Sequence, residues 1–220
     1  MKKKFNNMLA KSLVALLLAT LLLSCSNSQK SKTVTIGDQE WMAENLNVVK
    51  FRNGDPIPHA QTDEEWQQAG ENGQPAWCYY DNDPANGKIY GKLYNWYAVN
   101  DWRGLAPEDW RIPSDEDWLK LIKLLGGEDV AGGKLKATDT TYWQSPNNGA
   151  TNETGFTALP GGGRVANGAF YRIGSIGYWW SANEDYSSIA WYRAMRYDNS
   201  DVLRSYDYKE LGFSVRCLRD

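Results

Sequence analysis

Pro113-Ser114 is followed by three acids, Asp115-Glu116-Asp117, and then by apolar residues at Trp118, Leu121, Ile122 and Leu125. This is the pattern of a capped amphipathic helix. A serine hydroxyl at the N-cap accepts from a first-turn amide, and acids are favoured at the positive end of the helix dipole. The four apolar residues recur at i, i+3, i+4 and i+7, on one side of the helix. Gly126-Gly127 terminates the segment. Full burial of four such side chains contributes roughly 1.5–3 kcal/mol each before entropy. A helix with a single apolar stripe needs a layer to pack on, so it is expected to be the core-facing scaffold of its domain.

That layer is expected downstream. Tyr178 to Ala182, Ile189 to Tyr197, Val202 to Tyr208 and Phe213 to Leu218 alternate in strand fashion, and Asp198-Asn199-Ser200-Asp201 suits the turn between the second and third. Four such segments point to an antiparallel sheet. Upstream, Thr33–Ile36 and Gln39–Met42 flank Gly37-Asp38 as a hairpin. Thr62-Asp63-Glu64-Glu65 is a capping box for a short helix from Asp63 to Ala69. Leu93 to Val99 is expected as a helix, and Gly161-Gly162-Gly163 as a tight turn at a sheet edge. Residues 81–87 and 138–154 read as polar, turn-rich loops. Helices early and a strand meander late give an α+β architecture, one domain over residues 33–220.

The leader is a different kind of segment. Met1-Lys2-Lys3-Lys4 is basic, and Leu13 to Leu23 is an apolar run of eleven residues. About 20 are needed to cross a bilayer, so this run suits a secretory signal over residues 1–24. It ends Leu22-Leu23-Ser24-Cys25, which resembles the lipobox of bacterial lipoproteins. That resemblance implies cleavage before Cys25, diacylglycerol on its sulfur, and acylation of the new amino terminus. Two or more acyl chains hold a protein stably where one does so marginally. Residues 25–32 read as a flexible tether. The expected location is the cell envelope, as an outer-membrane lipoprotein, with its periplasmic or cell-surface face left open.

Charge and cysteine count narrow the chemistry. The formal charge is −3, and −7 once the leader's four lysines are removed, which gives no footprint for nucleic acid. Cys78 and Cys217 remain after lipidation. They admit either one disulfide, permitted outside the cytoplasm, or two buried thiols. One histidine, His59, excludes a multi-histidine metal site. Without a partner it is incidental rather than a general base. Asp115, Glu116 and Asp117 could be read as a glycosidase pair, but helix N-terminal charges explain them better. In the run 81–87, Ala85 stands where a calcium ligand would be needed. No cofactor or metal is expected.

Eleven tryptophans and thirteen tyrosines against five phenylalanines leave the aromatics as the remaining signal. Alternation puts Tyr178 and Trp180 on one face of a strand and Trp179 on the other. Both faces are core only if helices cover one. Sugars stack on exposed indoles and phenols while nearby polar groups bond the ring's rim. Trp179, Trp180, Trp191 and Tyr192, with Asn183 and Arg193 as rim, form the candidate binding set. Loops 138–154 and 183–188, with their aromatics, would frame it as an adaptable contact surface. The bland alternative is that these rings build the core of a phenylalanine-poor protein.

Six ordered segments resemble the Fibrobacter succinogenes major paralogous domain family. They are residues 35–47 (Thr-Ile-Gly-Asp-Gln-Glu-Trp-Met-Ala-Glu-Asn-Leu-Asn), Gly91 to Ala98, Trp110 to Trp118, Gly155 to Arg164, Tyr178 to Ala182 and Gly212 to Cys217. The resemblance spans about residues 33–219 and implies an exported protein or lipoprotein of undefined activity. The segment Trp110–Trp118, with the closing Gly212-Phe213 and Arg216, is more distantly similar to the formylglycine-generating-enzyme fold. That similarity implies a C-type-lectin-like body: a twisted antiparallel sheet, flanking helices and long surface loops. The enzyme's reactive cysteine pair has no match, nor does the calcium-sugar motif of C-type lectins, since Gln74-Pro75-Ala76 lacks its third ligand. The expectation is a non-catalytic anchored lipoprotein that binds glycan. A protein partner or structural envelope role is the alternative, and an enzyme of the formylglycine-generating type a second.

Overall fold

The computed structural model describes residues 32–220. The signal, Cys25 and the tether up to residue 31 lie outside the described residues. Strands β1 (Thr33–Ile36) and β2 (Gln39–Met42) form the expected hairpin. Helix α1 (Asp63–Glu71) starts at Thr62, and both bonds of its capping box form with Glu65. Helix α4 (Asp115–Leu124) starts at Ser114. Between them lie β3 (Trp77–Cys78), α2 (Pro84–Tyr90), β4 (Leu93–Tyr94), α3 (Trp96–Val99) and β5 (Trp110–Arg111). After α4 come α5 (Glu128–Leu135), β6 (Gly161–Arg164), β7 (Phe170–Ile173), β8 (Ile176–Tyr186), β9 (Ile189–Arg196), β10 (Leu203–Tyr208) and β11 (Leu218–Arg219). The architecture is mixed α+β.

The strands make three sheets, in the orders β1-β2-β11-β5, β10-β9-β8-β6-β7 and β3-β4. The second carries the late meander, with β8, β9 and β10 antiparallel. Three of the four expected strands are there. The fourth is not one strand, although Leu211–Leu218 is buried throughout. Its backbone bonds are divided among partners. Phe213 exchanges both bonds with Tyr94, Ser214 bonds Tyr178 and Trp180, and Cys217 accepts from Met42. The segment threads between sheets and ties them together.

Four further departures have local causes. Leu93–Val99 is not one helix: Leu93 and Tyr94 pair with β3, and the Asn95 side chain caps the single turn of α3. Residues 81–87 are not all loop, because Asp83 caps α2 with Pro84 at its first position. Helix α5 has no apolar stripe. Its Gly132 lets the chain of Asp201 approach so closely that a Cβ would lie 2.3 Å from the Asp201 carbonyl. Gly161–Arg164 is a buried strand between β7 and β8 rather than an edge turn. There Gly162 holds φ +63°, and a Cβ would meet Tyr171 O at 2.5 Å.

Three apolar clusters, all within residues 36–218, make the core. One gathers Tyr94, Trp96, Trp180, Tyr192 and Phe213. One lies under α4 and gathers Trp41, Trp118, Leu121, Ile122, Phe156, Trp179 and Met195. The smallest holds Trp66, Cys78 and Tyr80 beside α1. Residues 32–220 therefore enclose their own core. Several indoles are buried because their N–H finds a carbonyl: Trp77 donates to Ile57, Trp96 to Ser181, Trp143 to Ala158 and Trp180 to Tyr94. A phenylalanine could fill the space but not make those bonds.

Cys78 and Cys217 are free thiols in different clusters. The disulfide alternative is not formed. Burial pushes both thiols up to about 12, so neither is a thiolate near neutrality.

Candidate functional site

The six candidate residues do not form one site. Trp179 and Trp180 are both fully buried. Alternation sends them to opposite faces, as expected, but each face is covered. Trp180 packs on Phe213 at 4.5 Å between ring centres. Trp179 lies in the cluster beneath α4 and donates its N–H to Asn45 Oδ1 at 2.9 Å. Tyr192 is buried against Phe213 at 5.0 Å. None of these three rings presents a face to a ligand, and the stacking role expected for them is corrected on that ground.

Arg193 is buried as well, which corrects its expected place on the rim. Its Nη2 lies 2.8 Å from Asp115 Oδ1, and Arg204 Nη2 reaches Asp115 Oδ2 at 3.0 Å. Burial alone would raise the Asp115 carboxyl, but the two guanidiniums outweigh it and hold it below the usual carboxylate range. The first-turn acid of α4 is thus clamped onto the sheet. Asp117 is occupied too. It accepts from the Ser114 amide and hydroxyl and pairs with Arg111. Burial opposes its ionisation, yet these partners carry its pKa down to about 2.

Trp191 and Asn183 remain accessible, and the strand register shows what accompanies them. Trp191 pairs with Tyr206, Ile189 with both Tyr208 and Tyr186, and Arg193 with Arg204. Paired residues share a face, so Tyr186, Ile189, Trp191, Arg193, Arg204, Tyr206 and Tyr208 all project to one side. Helices α4 and α5 cover that side only as far as Arg193 and Met195. Beyond the Asp115 clamp it is open, with Tyr186 70%, Tyr208 59% and Tyr206 51% exposed. Trp191 is half-buried. The Arg204 guanidinium lies 3.5 Å over its ring, and Tyr206 meets it edge-on at 5.3 Å. Asn183 accepts from the Asp115 amide through Oδ1 at 2.7 Å, leaving its amide nitrogen without a partner among the described residues.

Of the three tyrosines, Tyr186 lies in a loop expected to frame the site, whereas Tyr206 and Tyr208 were not among the expected site residues. The signal for them was present: Tyr206 and Tyr208 alternate on a strand whose register against Trp191 was not readable. Loop 183–188 is not a loop, since β8 runs through to Tyr186 and turns at Ser187-Ser188. Loop 138–154 is pinned rather than adaptable. Trp143 is buried in it, Asn147 donates to the Ala137 carbonyl, and Lys136 Nζ gathers the carbonyls of Asn148, Arg196 and Asn199 at 2.8–2.9 Å.

His59 stacks flat on Trp77 at 3.8 Å, with Nε2 buried and unpartnered among the described residues. Burial, with the Lys92 charge beside it, lowers its pKa. No group of three or more His, Cys, Asp or Glu among the described residues is placed to hold a metal ion. No helix among them is long and apolar enough to cross a membrane.

Comparison with known proteins gives one match. Residues 34–219 match the Fibrobacter succinogenes major domain. The chain belongs to that family. No curated protein and no solved structure matches the chain. Family membership therefore covers nearly the whole described body and carries no activity with it.

Proposed function

We propose that this family member is a non-catalytic envelope lipoprotein, anchored through Cys25, that binds glycan on the open aromatic face of β8, β9 and β10. One observation carries the reading. Tyr186, Trp191, Tyr206 and Tyr208 form a contiguous, solvent-facing row at the end of the sheet face that α4 and α5 leave uncovered. A contiguous exposed patch of large rings marks an interaction site. A pyranose offers an apolar CH face to such rings, and its hydroxyls find hydrogen-bonding partners in Asn183 and the Asp115–Arg204 pair. The arginine over Trp191 holds that ring in one orientation. The α+β order, with helices packed against a meander, is compatible with a C-type-lectin-like body, and the outer membrane is the location that the leader and lipobox favour.

Isothermal titration against a panel of polysaccharides tests the reading. The chain should bind at least one member, and Trp191→Ala and Tyr206→Ala should each weaken that binding about tenfold while leaving the fold intact. No binding on a broad panel removes the glycan reading. A second reading has its own support. Strand β10 is an edge strand, with Leu203 49% exposed on it, and unpaired edges invite a partner's strand. Co-purification of a stoichiometric envelope protein, lost on Leu203→Lys, would favour that reading.

A further inference from the structure

A second feature lies away from the aromatic face, where the chain enters the domain. Without the five lysines of residues 1–31, the formal charge of the chain falls from −3 to −8. Against that acidic background one hollow is basic. It measures about 310 Å³ and is lined by Lys32, Glu44, Asn45, Lys88, Ile89 and Arg216, among others. Lys32 pairs with Glu44 at 3.1 Å, so the three cations outnumber the single acid by two.

Arg216 is the unusual member. It is 1% exposed, and no carboxylate among the described residues lies within 4 Å of it. Its guanidinium rests on neutral oxygens instead. Nε and Nη2 donate to Asn45 Oδ1 at 3.0 and 2.8 Å, and Nη1 donates to the carbonyls of Met42 and Phe156. Five N–H groups are available and four bonds are made, which leaves one on Nη2. Glu44 acts on Arg216 only from beyond ion-pair distance and is already paired with Lys32. The burial of this cation is therefore poorly compensated, and an anion reaching the hollow would relieve that cost. Burial already pulls its pKa down to about 9. Lys88 adds an exposed ammonium at the rim, and Ile89, 41% exposed, adds an apolar contact.

The position of the hollow says where its anion comes from. The Lys32 carbonyl accepts from the Ala43 amide at 2.8 Å, so the chain enters the domain at the rim of the hollow. Lys32 follows the anchoring Cys25 by seven positions, a reach of about 24 Å at full extension. We propose that the hollow receives the phosphate of an anionic lipid headgroup and thereby fixes which face of the domain meets the bilayer. The placement rests on the anchor at Cys25, whereas the chemistry of the hollow does not. The aromatic face is then left free for its own ligand.

The test uses residues 25–220 with Cys25→Ser, which carry the whole described core and no lipid. Flotation should recover this protein with vesicles of phosphatidylcholine and phosphatidylglycerol, and not with phosphatidylcholine alone. The double variant Lys32→Glu/Lys88→Glu should bind about tenfold more weakly. Lys120→Glu/Lys123→Glu, on α4 and outside the hollow, should bind as the parent does. Glycerol phosphate should compete. Equal loss in both double variants would mean diffuse attraction and would overturn the site. So would undiminished binding by Lys32→Glu/Lys88→Glu. Glycerol phosphate binding without vesicle binding would overturn the lipid source and assign the hollow to free phosphate. Glycan titrations of Lys32→Glu/Lys88→Glu should be unchanged, so the two surfaces fail or succeed separately.

Discussion

Trp179 and Trp191 sit on the same face of the same sheet, on adjacent strands, and meet opposite fates. Trp179 pairs with Arg193 in register and is sealed under α4. Trp191, two residues before Arg193, is half open to solvent with three exposed tyrosines around it. Residue type does not separate them. What separates them is where the covering helix ends. Helix α4 begins at Asp115, and Asp115 is bonded to Arg193 and Arg204, so the start of the helix marks the border between core and candidate site. The lesson is that a sheet face is divided by its cover rather than by its own sequence.

If that border is real, the covered side should depend on packing. Trp179→Ala or Trp180→Ala should cost about 3–5 kcal/mol in denaturant unfolding, as expected for a large ring removed from a closed core. A loss below about 1 kcal/mol would mean the cover is loose and would erase the contrast with Trp191. The clamp itself should come next. Asp115→Ala leaves the buried Arg193 without its counter-charge and should cost about 3 kcal/mol. A smaller loss with Arg193→Met than with Asp115→Ala would identify the unpaired charge, rather than lost contact, as the cause.

The smallest effect belongs to the helix cap. Asp117→Asn should cost about 1–2 kcal/mol, because the Ser114 bonds and the Arg111 pair weaken together. Its sign with pH follows from a folded pKa of about 2 against an ordinary value of about 3.9 in the unfolded chain. The charged form stabilises the fold fully above about pH 4. That contribution disappears as the pH falls from about 4 towards about 2. Unfolding midpoints measured across this window should fall steeply for the parent and more shallowly for Asp117→Asn.

Local chemistry was readable and tertiary division was not. Thr62, Ser114 and the hairpin at Gly37 were legible because their bonds reach only a few residues along the chain. Asp83-Pro84 carried a comparable start signal for α2 that a polar, turn-rich context obscured. Helix α5 was hidden for a different reason. It is defined by close backbone approach at Gly132, and such an approach leaves no apolar period. The stretch Phe213–Leu218 alternated like a strand, yet its bonds are shared among β2, β4, β5 and β8, and no local alternation encodes that. For the candidate site, Trp191 and Asn183 could be named from the sequence and are accessible, whereas Tyr206 and Tyr208 needed the register of β9 against β10. The burial of Trp179, Trp180 and Tyr192 needed knowledge of what lies above and below the sheet.

The most direct measurement is an NMR titration of the indole N–H signals with a glycan that binds. The account predicts that the Trp191 signal shifts progressively while those of Trp179 and Trp180, locked to Asn45 and Tyr94, stay where they are. Movement of the buried pair with Trp191 unchanged would contradict it.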